Sequence, residues 1–201
     1  MKRLIEGYRQ FRRTGWPRER ALYAELAKGQ SPEYLIISCC DSRADPALIF
    51  SARPGELFVL RNVANIVPPF EQGGGYHGTS SAIAFAILQL KVSTVVVMGH
   101  AKCGGIAAAL DRQVAAPMPF LSEWISLLEP AVARCAQDGG DRHTEVEREG
   151  VRLSLERLMS FPFIAERVSQ GVLRLEGARF GIADGQLEWL DKETGLFKPV
   201  H

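Results

Sequence analysis

The 201-residue sequence has no long apolar run and almost no net charge. No stretch approaches the roughly 20 apolar residues that span a bilayer. The apolar run Val95 to Met98 is short enough for a buried strand. A formal net charge of +1 argues against general nucleic-acid binding, because phosphate backbones select proteins with a strong basic excess. We therefore expect neither a membrane protein nor a nucleic-acid binder.

The N-terminus lacks the uninterrupted apolar stretch of a secretory signal, since charged residues recur throughout positions 1–16. Instead, its apolar residues follow helical spacing, which predicts an amphipathic helix. These residues are Leu4, Ile5, Tyr8 and Phe11. We expect residues 1–28 to form a helical arm that packs on the body or on a partner subunit. The arginine content also allows an organelle-targeting helix, although Glu6 and Glu19 count against it.

Cysteines are few, and the usual thiol-enzyme motifs are missing. The four are Cys39, Cys40, Cys103 and Cys135. Without a signal sequence we expect a reducing compartment, the cytoplasm, in which cysteines bind metal, react or pack rather than form disulfides. There is no Cys-x-x-Cys. The phosphatase pattern Cys-x₅-Arg fails as well, because Asp45 and Ala109 stand six residues after Cys39 and Cys103. The glycine run 73–75 lacks the Lys and Ser/Thr of a nucleotide-binding P-loop.

Apolar runs alternate with helical patterns along the whole chain, which predicts one α/β domain over residues 1–201 with a central, mostly parallel sheet flanked by helices. The predicted strands are Tyr34 to Ser38, Leu57 to Leu60, Thr94 to Met98, Val172 to Leu175, and Leu187 to Leu190 in a hairpin with Arg179 to Ala183. The predicted helices include His77 to Leu90 and Thr144 to Met159. In parallel sheets, binding sites form at the carboxyl ends of the strands.

A His and a Cys lie three residues apart just after the third predicted strand, in the segment Gly99 to Gly105. From a turn that leads into a helix, His100 and Cys103 can reach one metal ion. A helix N-terminus would also favour the thiolate of Cys103. Gly104 and the glycine after it leave room for a small ligand near the backbone. By itself this pair is a modest signal, since such pairs are also structural or incidental.

A third potential ligand, Cys39, directly follows the first predicted strand and should reach the same edge of the sheet. Two thiolates and one imidazole with an open fourth position are a known catalytic zinc arrangement. Asp41, two residues later, could occupy that position or accept a hydrogen bond from the water that the metal activates. Arg43 could keep Asp41 ionised and hold it off the metal.

These residues resemble the β-carbonic anhydrase family. Its pattern Cys-x-Asp-Ser-Arg matches Cys39 to Arg43, and Gly-His-x-x-Cys-Gly-Gly matches Gly99 to Gly105. The stretch Pro54 to Asn65 is similar to the family's signature between the two motifs, and likeness continues into Val151 to Phe163. The resemblance implies one Zn²⁺ per chain, reversible hydration of CO₂ to bicarbonate, and a homodimer or a dimer of dimers.

The resemblance also implies a small CO₂ pocket, partly donated by a dimer partner. By position its residues are Gln30, Phe58, Val63 and Phe85, with backbone near Gly104. Phe85 replaces a Tyr that many plant-type relatives carry. Ile36 replaces the Trp of a non-catalytic bicarbonate site found in some bacterial relatives, so we expect no such site, although its arginine position is filled by Arg61.

Other residues and functions stay open. We expect Cys40 to pack rather than react, and we expect His143 and His201 to be solvated. His77 is a candidate proton shuttle. Two alternatives to CO₂ hydration remain: a CS₂ or COS hydrolase on the same scaffold, and a non-enzymatic protein in which zinc only stabilises the fold.

Overall fold

The computed structural model describes residues 1–72, 76–111, 113, 118–135 and 141–201. Within them, six strands form one sheet. The strands are β1 (Tyr34–Cys39), β2 (Leu57–Asn62), β3 (Thr94–His100), β4 (Arg174–Phe180), β5 (Leu187–Leu190) and β6 (Phe197–Pro199). Their order is β2-β1-β3-β4-β5-β6. Strands β1 to β4 are parallel, whereas β5 and β6 pair antiparallel with their neighbours. The predicted α/β class is confirmed.

Helices surround this sheet. They are α1 (Lys2–Gln10), α2 (Trp16–Leu26), α3 (Pro46–Ile49), α4 (Gly78–Ala84), α5 (Gly104–Leu110), α6 (Leu121–Ser126), α7 (Glu129–Arg134), α8 (Arg142–Leu158) and α9 (Pro162–Ser169). A π-helical turn, Phe11–Gly15, joins α1 to α2, and another, Phe85–Gln89, continues α4. None of the described helices is both long and apolar enough to cross a bilayer.

The main core lies on one face of the sheet. The strands are nearly all apolar and rich in β-branched residues, whose side chains suit a pleated surface. Leu35, Ile37 and Val97 point to this face and pack in one cluster with Val151 of α8 and Ile164 of α9. The opposite face carries a smaller cluster. It contains Ile36, Val96, Met98 and Ala178, with Phe50 and Trp189 packed at its margin. Burial on both faces explains why β3 shows no polar alternation.

The long helix α8 begins where its sequence provides a cap. The carboxylate of Asp141 accepts hydrogen bonds from the backbone N–H and the hydroxyl of Thr144, which satisfies one of the unpaired N–H groups of the first turn. The helix crosses the sheet over β3 and β4, where glycines allow close contact. A Cβ at Gly99 or Gly177 would lie 3.0 Å from the Val151 side chain. Small residues in the strands therefore set how closely α8 approaches the sheet.

The fourth strand departs from its predicted bounds, Val172 to Leu175. It begins at Arg174, because the N–H groups of Val172 and Leu173 donate to the carbonyl of Arg167 at the end of α9. It then runs to Phe180. The predicted hairpin is present, but β5 pairs with residues 178–180 rather than with the whole segment 179–183. The glycine run 73–75, which precedes the helix predicted from His77, lies outside the described residues.

The N-terminal arm is helical as predicted. Its three segments run from Lys2 to Leu26. Phe11 forms edge contacts with Trp16 and Tyr23, with ring centroids 6.4 Å apart in both pairs. The apolar residues predicted to form the packing face of the arm remain exposed within the chain, and Leu4 is the most exposed of them at 79%. The arm therefore presents an uncovered apolar stripe.

Candidate metal centre

Two strand ends and one helix start bring the predicted metal ligands together. Cys39 is the last residue of β1, and His100 is the last residue of β3, so both belong to the strands instead of following them. Cys103 is the N-cap of α5. One donor atom from each residue lies within 4.8 Å of the other two, and the two sulfurs are 3.9 Å apart. All three side chains are buried. Because β1 and β3 are adjacent and parallel, their carboxyl ends place the ligands at one edge.

The imidazole of His100 is oriented for a metal ion. Its Nδ1 lies 2.9 Å from the carbonyl oxygen of Ala101. That carbonyl can only accept, so Nδ1 carries the proton and Nε2 presents its lone pair. Nε2 is buried and makes no hydrogen bond within the described part of the chain. A buried polar atom without a partner is rare in folded proteins, and a metal ion at the cluster would satisfy it.

The two thiols also fit a divalent cation. The pKa of Cys39 is lowered, first because its sulfur shares a hydrogen bond with Cys103. The pKa of Cys103 is raised by the same contact and by burial. One thiolate therefore forms readily, and its charge opposes a second. A cation between the sulfurs would remove that repulsion and allow both to ionise, which is how thiolates bind Zn²⁺.

Asp41 and Arg43 form a tight ion pair beside this cluster. Arg43 Nη2 donates to Asp41 Oδ2 at 2.7 Å, Nε donates to Oδ1 at 3.0 Å, and the Arg43 backbone N–H reaches Oδ1 at 2.9 Å. Arg43 Nη2 also donates to the carbonyl of Lys102 in the other metal-binding segment. These bonds from Arg43 hold the pKa of Asp41 well below its usual range. The carboxylate is thus ionised, and Oδ2 lies 3.9 Å from His100 Nε2.

Arg61 organises the first metal-binding loop, a role that the sequence did not indicate. Its Nε donates to the carbonyl of Cys39 at 2.9 Å, and its Nη2 donates to the carbonyl of Asp41 at 2.7 Å. Its Nη1 pairs with Asp45 Oδ2 at 3.0 Å. Arg61 pairs in register with Ser38 on the neighbouring strand. That pairing could be expected from sequence, but the reach of the guanidinium around the loop could not.

The five predicted pocket residues do not form one wall within a single chain. Val63 and Gly104 lie next to the metal ligands, because Val63 contacts the start of α5 and Gly104 follows Cys103. Phe58 of the outer strand β2 packs against Phe85 in a tilted ring pair with centroids 5.9 Å apart. Gln30 is exposed and lines a separate groove together with arm residues of α2.

Two predictions about individual residues are wrong. Cys40 is exposed rather than packed. Its N–H donates to the Asn62 carbonyl and so continues the hydrogen bonding between β1 and β2, but its side chain lies beyond the end of β1. His143 is not simply solvated. Its Nδ1 lies 2.6 Å from Oε1 of the buried Glu147, one helical turn along α8, and Glu147 in turn binds Arg179 at 2.7 Å.

The other two histidines are exposed. His201 is the last residue and is exposed, as predicted. His77 precedes α4 and lines an open cleft of about 500 Å³ together with Val63 and Trp124. This position leaves His77 available to solvent.

Comparison with known proteins gives a consistent result. The sequence model of a family described as carbonic anhydrase matches residues 34–187. The chain is 34% identical to β carbonic anhydrase 3 of Arabidopsis thaliana over 204 aligned positions, which cover 96% of this chain and 79% of that protein. The solved structure of the β-carbonic anhydrase CcaA superposes with a TM-score of 0.89 at 31% identity, covering 100% of this chain and 92% of that one.

A second solved structure extends the likeness. It belongs to the two tetrameric β-carbonic anhydrases of Sordaria macrospora and superposes with a TM-score of 0.82 at 28% identity. The match covers 94% of this chain and 95% of that chain. The similarity therefore includes the sheet, the arm and both ligand-bearing segments.

Proposed function

The chain belongs to the β-carbonic anhydrase family, and from this we propose that it is a zinc enzyme that interconverts CO₂ and water with bicarbonate and a proton. The observation that carries the proposal is the buried cluster of Cys39, His100 and Cys103 with the ion pair Asp41–Arg43 at its edge. A closed structural zinc site would need a fourth protein ligand. In the described residues, three such ligands cluster, and Arg43 holds Asp41 to one side.

Cys39, His100 and Cys103 would hold the Zn²⁺, one ion per chain. The bound ion would supply Lewis acidity that lowers the pKa of a water molecule, so that a nucleophile is available near neutral pH. Two thiolates already balance the charge of the cation, so neighbouring groups must assist. The chain provides them in an ionised carboxylate and a guanidinium.

Asp41 is the residue that we propose orients the nucleophile. Because Arg43 keeps the carboxylate ionised, Asp41 can accept a hydrogen bond but cannot donate one. Its Oδ2 faces the cluster, so it can fix the hydrogen of a water there and leave an oxygen lone pair free for CO₂. Arg43 acts through Asp41, because it binds both carboxylate oxygens and anchors them to Lys102.

The substrate needs a small, partly apolar space. Gly104 offers it, since a Cβ built there would meet no atom within 4 Å. We propose that Val63 supplies one apolar wall, and that Gln30, Phe58 and Phe85 complete the pocket in a homodimer or a dimer of dimers, where a partner chain can bring them to the metal. His77 remains our candidate for passing the released proton to solvent.

Three further statements belong to the proposal. The chain forms one domain over residues 1–201, with 1–28 as the arm. Its four cysteines are free thiols, which fits a reducing compartment, and we propose the cytoplasm. Ile36 is buried and has no side-chain donor, so we propose that this chain lacks the second bicarbonate site.

Stopped-flow CO₂ hydration on metal-quantified protein tests the function. We expect fast, chelator-sensitive hydration with about one zinc per chain. Stoichiometric zinc without hydration at neutral or alkaline pH would contradict it. In that case hydrolysis of CS₂ or COS would support the alternative enzyme, and inactivity toward all three substrates would indicate a structural metal.

A further inference from the structure

The turn Val63–Asn65, which follows β2, has a strained and buried backbone. Ala64 and Asn65 adopt left-handed φ angles of 62° and 48°. Both residues are almost fully buried. Left-handed backbone is unfavourable for residues with a Cβ, and it persists only where the surrounding structure enforces it. The contacts around the turn must therefore hold it in this conformation.

Side chains from three separate elements enforce the turn. The amide of Asn62 bridges it, accepting from the Ile66 N–H at 2.9 Å and donating to the Ile66 carbonyl at 2.8 Å. Trp124 of α6 donates from Nε1 to the Val63 carbonyl at 2.9 Å. The hydroxyl of the buried Ser154 on α8 donates to the Asn65 carbonyl at 3.2 Å. The bonds from Trp124 and Ser154 satisfy carbonyl groups of the turn, and those of Asn62 close the backbone around it.

The enforced turn touches the segments that carry all three metal ligands. A Cβ at Gly105, two residues after Cys103, would lie 2.7 Å from the Ala64 Cβ and 2.9 Å from the Val63 side chain. A Cβ at Gly99, next to His100, would lie 3.8 Å from Asn65 Oδ1. Cys39 and Ala64 pack in the same buried cluster. No wider side chain fits between the turn and α5.

We propose that the turn Val63–Asn65 is a template that sets the spacing of Cys39, His100 and Cys103, with Ala64 as its positioning residue. Ala64 acts through the ligands, because its methyl group fixes the distance to Gly105 and packs in the same buried cluster as Cys39 and Cys103. This inference rests on the metal centre proposed above. It adds that the geometry of the centre depends on a segment that supplies no ligand.

The test is Gly105→Ala, with metal binding as the readout. The added methyl must push α5 away from Ala64, so we expect Zn²⁺ affinity, measured by competition with a chromophoric chelator, to fall by about 10–100-fold. The visible and thiolate charge-transfer bands of the Co²⁺-substituted protein should shift, because they report ligand geometry. Gly78→Ala is the matched control, since its methyl also meets no atom within 4 Å and α4 carries no ligand, and it should keep the wild-type affinity and spectrum.

The second step is a rescue. Ala64→Gly removes the nearer of the two side-chain groups that the Gly105→Ala methyl meets, while the Val63 side chain remains at 2.9 Å. The double variant should therefore recover part of the affinity and move the Co²⁺ spectrum back toward that of the wild type. Unchanged binding in Gly105→Ala, or no recovery in the double variant, overturns the template while leaving the metal centre intact. Failure of the wild-type chain to bind either metal overturns both proposals.

A third variant covers the case in which Gly105→Ala does not fold. Trp124→Phe keeps the packing of the ring but leaves the Val63 carbonyl without its donor. We expect it to weaken Zn²⁺ binding by about tenfold and to shift the Co²⁺ bands, with far-UV circular dichroism unchanged. A folded Trp124→Phe protein with wild-type affinity and bands overturns the proposal.

Discussion

At the scale of single residues, Asp41 depends on Arg43 for both its charge and its direction. The guanidinium binds both carboxylate oxygens, and the Arg43 N–H adds a third bond. A carboxylate held in this way cannot swing freely toward the metal ligands. The sequence left two roles open for Asp41, as a metal ligand or as a hydrogen-bond acceptor beside the metal. The ion pair with Arg43 favours the second role.

Replacing Asp41 by Asn tests this division. The amide keeps the size of the side chain but loses the negative charge that makes the carboxylate a strong hydrogen-bond acceptor for water. We expect Asp41→Asn to retain about one zinc per chain and to lose about 10–100-fold in kcat for CO₂ hydration. Stopped-flow assays on metal-quantified protein measure both. Asp111→Asn, at an exposed carboxylate, is the control, and full activity in Asp41→Asn would refute the assigned role.

Cys103 gives the complementary prediction. A serine hydroxyl at this position is a poor ligand for Zn²⁺, and its loss leaves only two strong donors. We expect Cys103→Ser to lose most of its zinc and its activity together, as measured by elemental analysis of the purified protein and by hydration assays. The exposed Cys40→Ser variant is the control for thiol loss. Zinc at wild-type stoichiometry in Cys103→Ser would contradict the ligand set.

The grouping of the three ligands could be predicted from sequence, because Cys39 and His100 end buried parallel strands and Cys103 starts the next helix. The supporting contacts could not. Arg61 reaches around a loop, and His143 turns onto Glu147. Both depend on side-chain directions that become defined only when distant segments pack together. Cys40 was wrongly predicted as buried for the same reason.

At the scale of elements, α8 packs closely against the sheet. A Cβ at Gly177 of β4 would meet Val151 at 3.0 Å and Leu155 at 3.1 Å. Overpacking of this kind forces backbone shifts. We expect Gly177→Ala to lower the free energy of unfolding by about 1–3 kcal/mol, measured by urea denaturation. Gly78→Ala, whose methyl would meet no neighbour within 4 Å, should show no such loss.

A charge cluster ties the same helix to the C-terminal hairpin. Glu188 of β5 accepts from Arg148 of α8 at 2.5 Å and from Arg179 of β4 at 3.3 Å. Burial raises the pKa of Glu188, but the bonds and charges of the two arginines outweigh burial and leave the pKa below its ordinary value. The carboxylate therefore stabilises the fold above the unfolded pKa of about 4.3, and this contribution is lost as pH falls through the lower folded pKa.

The pH dependence of the stability of a Glu188 variant tests whether the carboxylate stabilises the fold only when it is ionised. We expect Glu188→Gln to be less stable than wild type by about 1–3 kcal/mol at neutral pH, since hydrogen bonds to charged groups are lost. The difference should shrink as the pH falls below about 4, when wild-type Glu188 itself takes up a proton. Urea titrations across that range measure it. The exposed Glu193→Gln provides the control, and a difference independent of pH would exclude the ion pairs as its cause.

The apolar patterns predicted the arm, α4, α8 and most of the strands, but not the outer strand β6 or the short helices α3, α6, α7 and α9. They also did not predict some of the ends. The start of β4 at Arg174 depends on bonds from Val172 and Leu173 back to α9. Those bonds compete with the sheet for the same N–H groups. An apolar pattern carries no information about that competition, so it placed the strand two residues too early.

At the scale of the whole molecule, the N-terminal arm is the part with the most unsatisfied apolar surface. Leu4 and Tyr8 are largely exposed on the same face of α1. An apolar stripe of this kind is costly in water unless another surface covers it. The exposed stripe supports our expectation that the arm, residues 1–28, packs on a partner subunit.

A charge on that stripe should weaken the association. We expect Leu4→Glu to raise the dimer dissociation constant by at least about tenfold, measured by sedimentation velocity across a range of protein concentrations. Gln10→Glu adds the same charge on the opposite face of α1 and should leave the constant unchanged. A Leu4→Glu protein that dimerises as tightly as the control would show that the arm does not form the interface.

The two ends of the sheet differ in a way that bears on how large an assembly can grow. The outer strand β6 ends in Pro199, which has no N–H to offer, and Lys198 beside it is engaged by Asp191. Prolines and lysines on an outer strand discourage further strands from adding. In the described sheet the other outer strand, β2 (Leu57–Asn62), contains neither proline nor lysine. A strand should therefore add more readily at the β2 end than at the β6 end, and this asymmetry disfavours growth of a sheet from both ends.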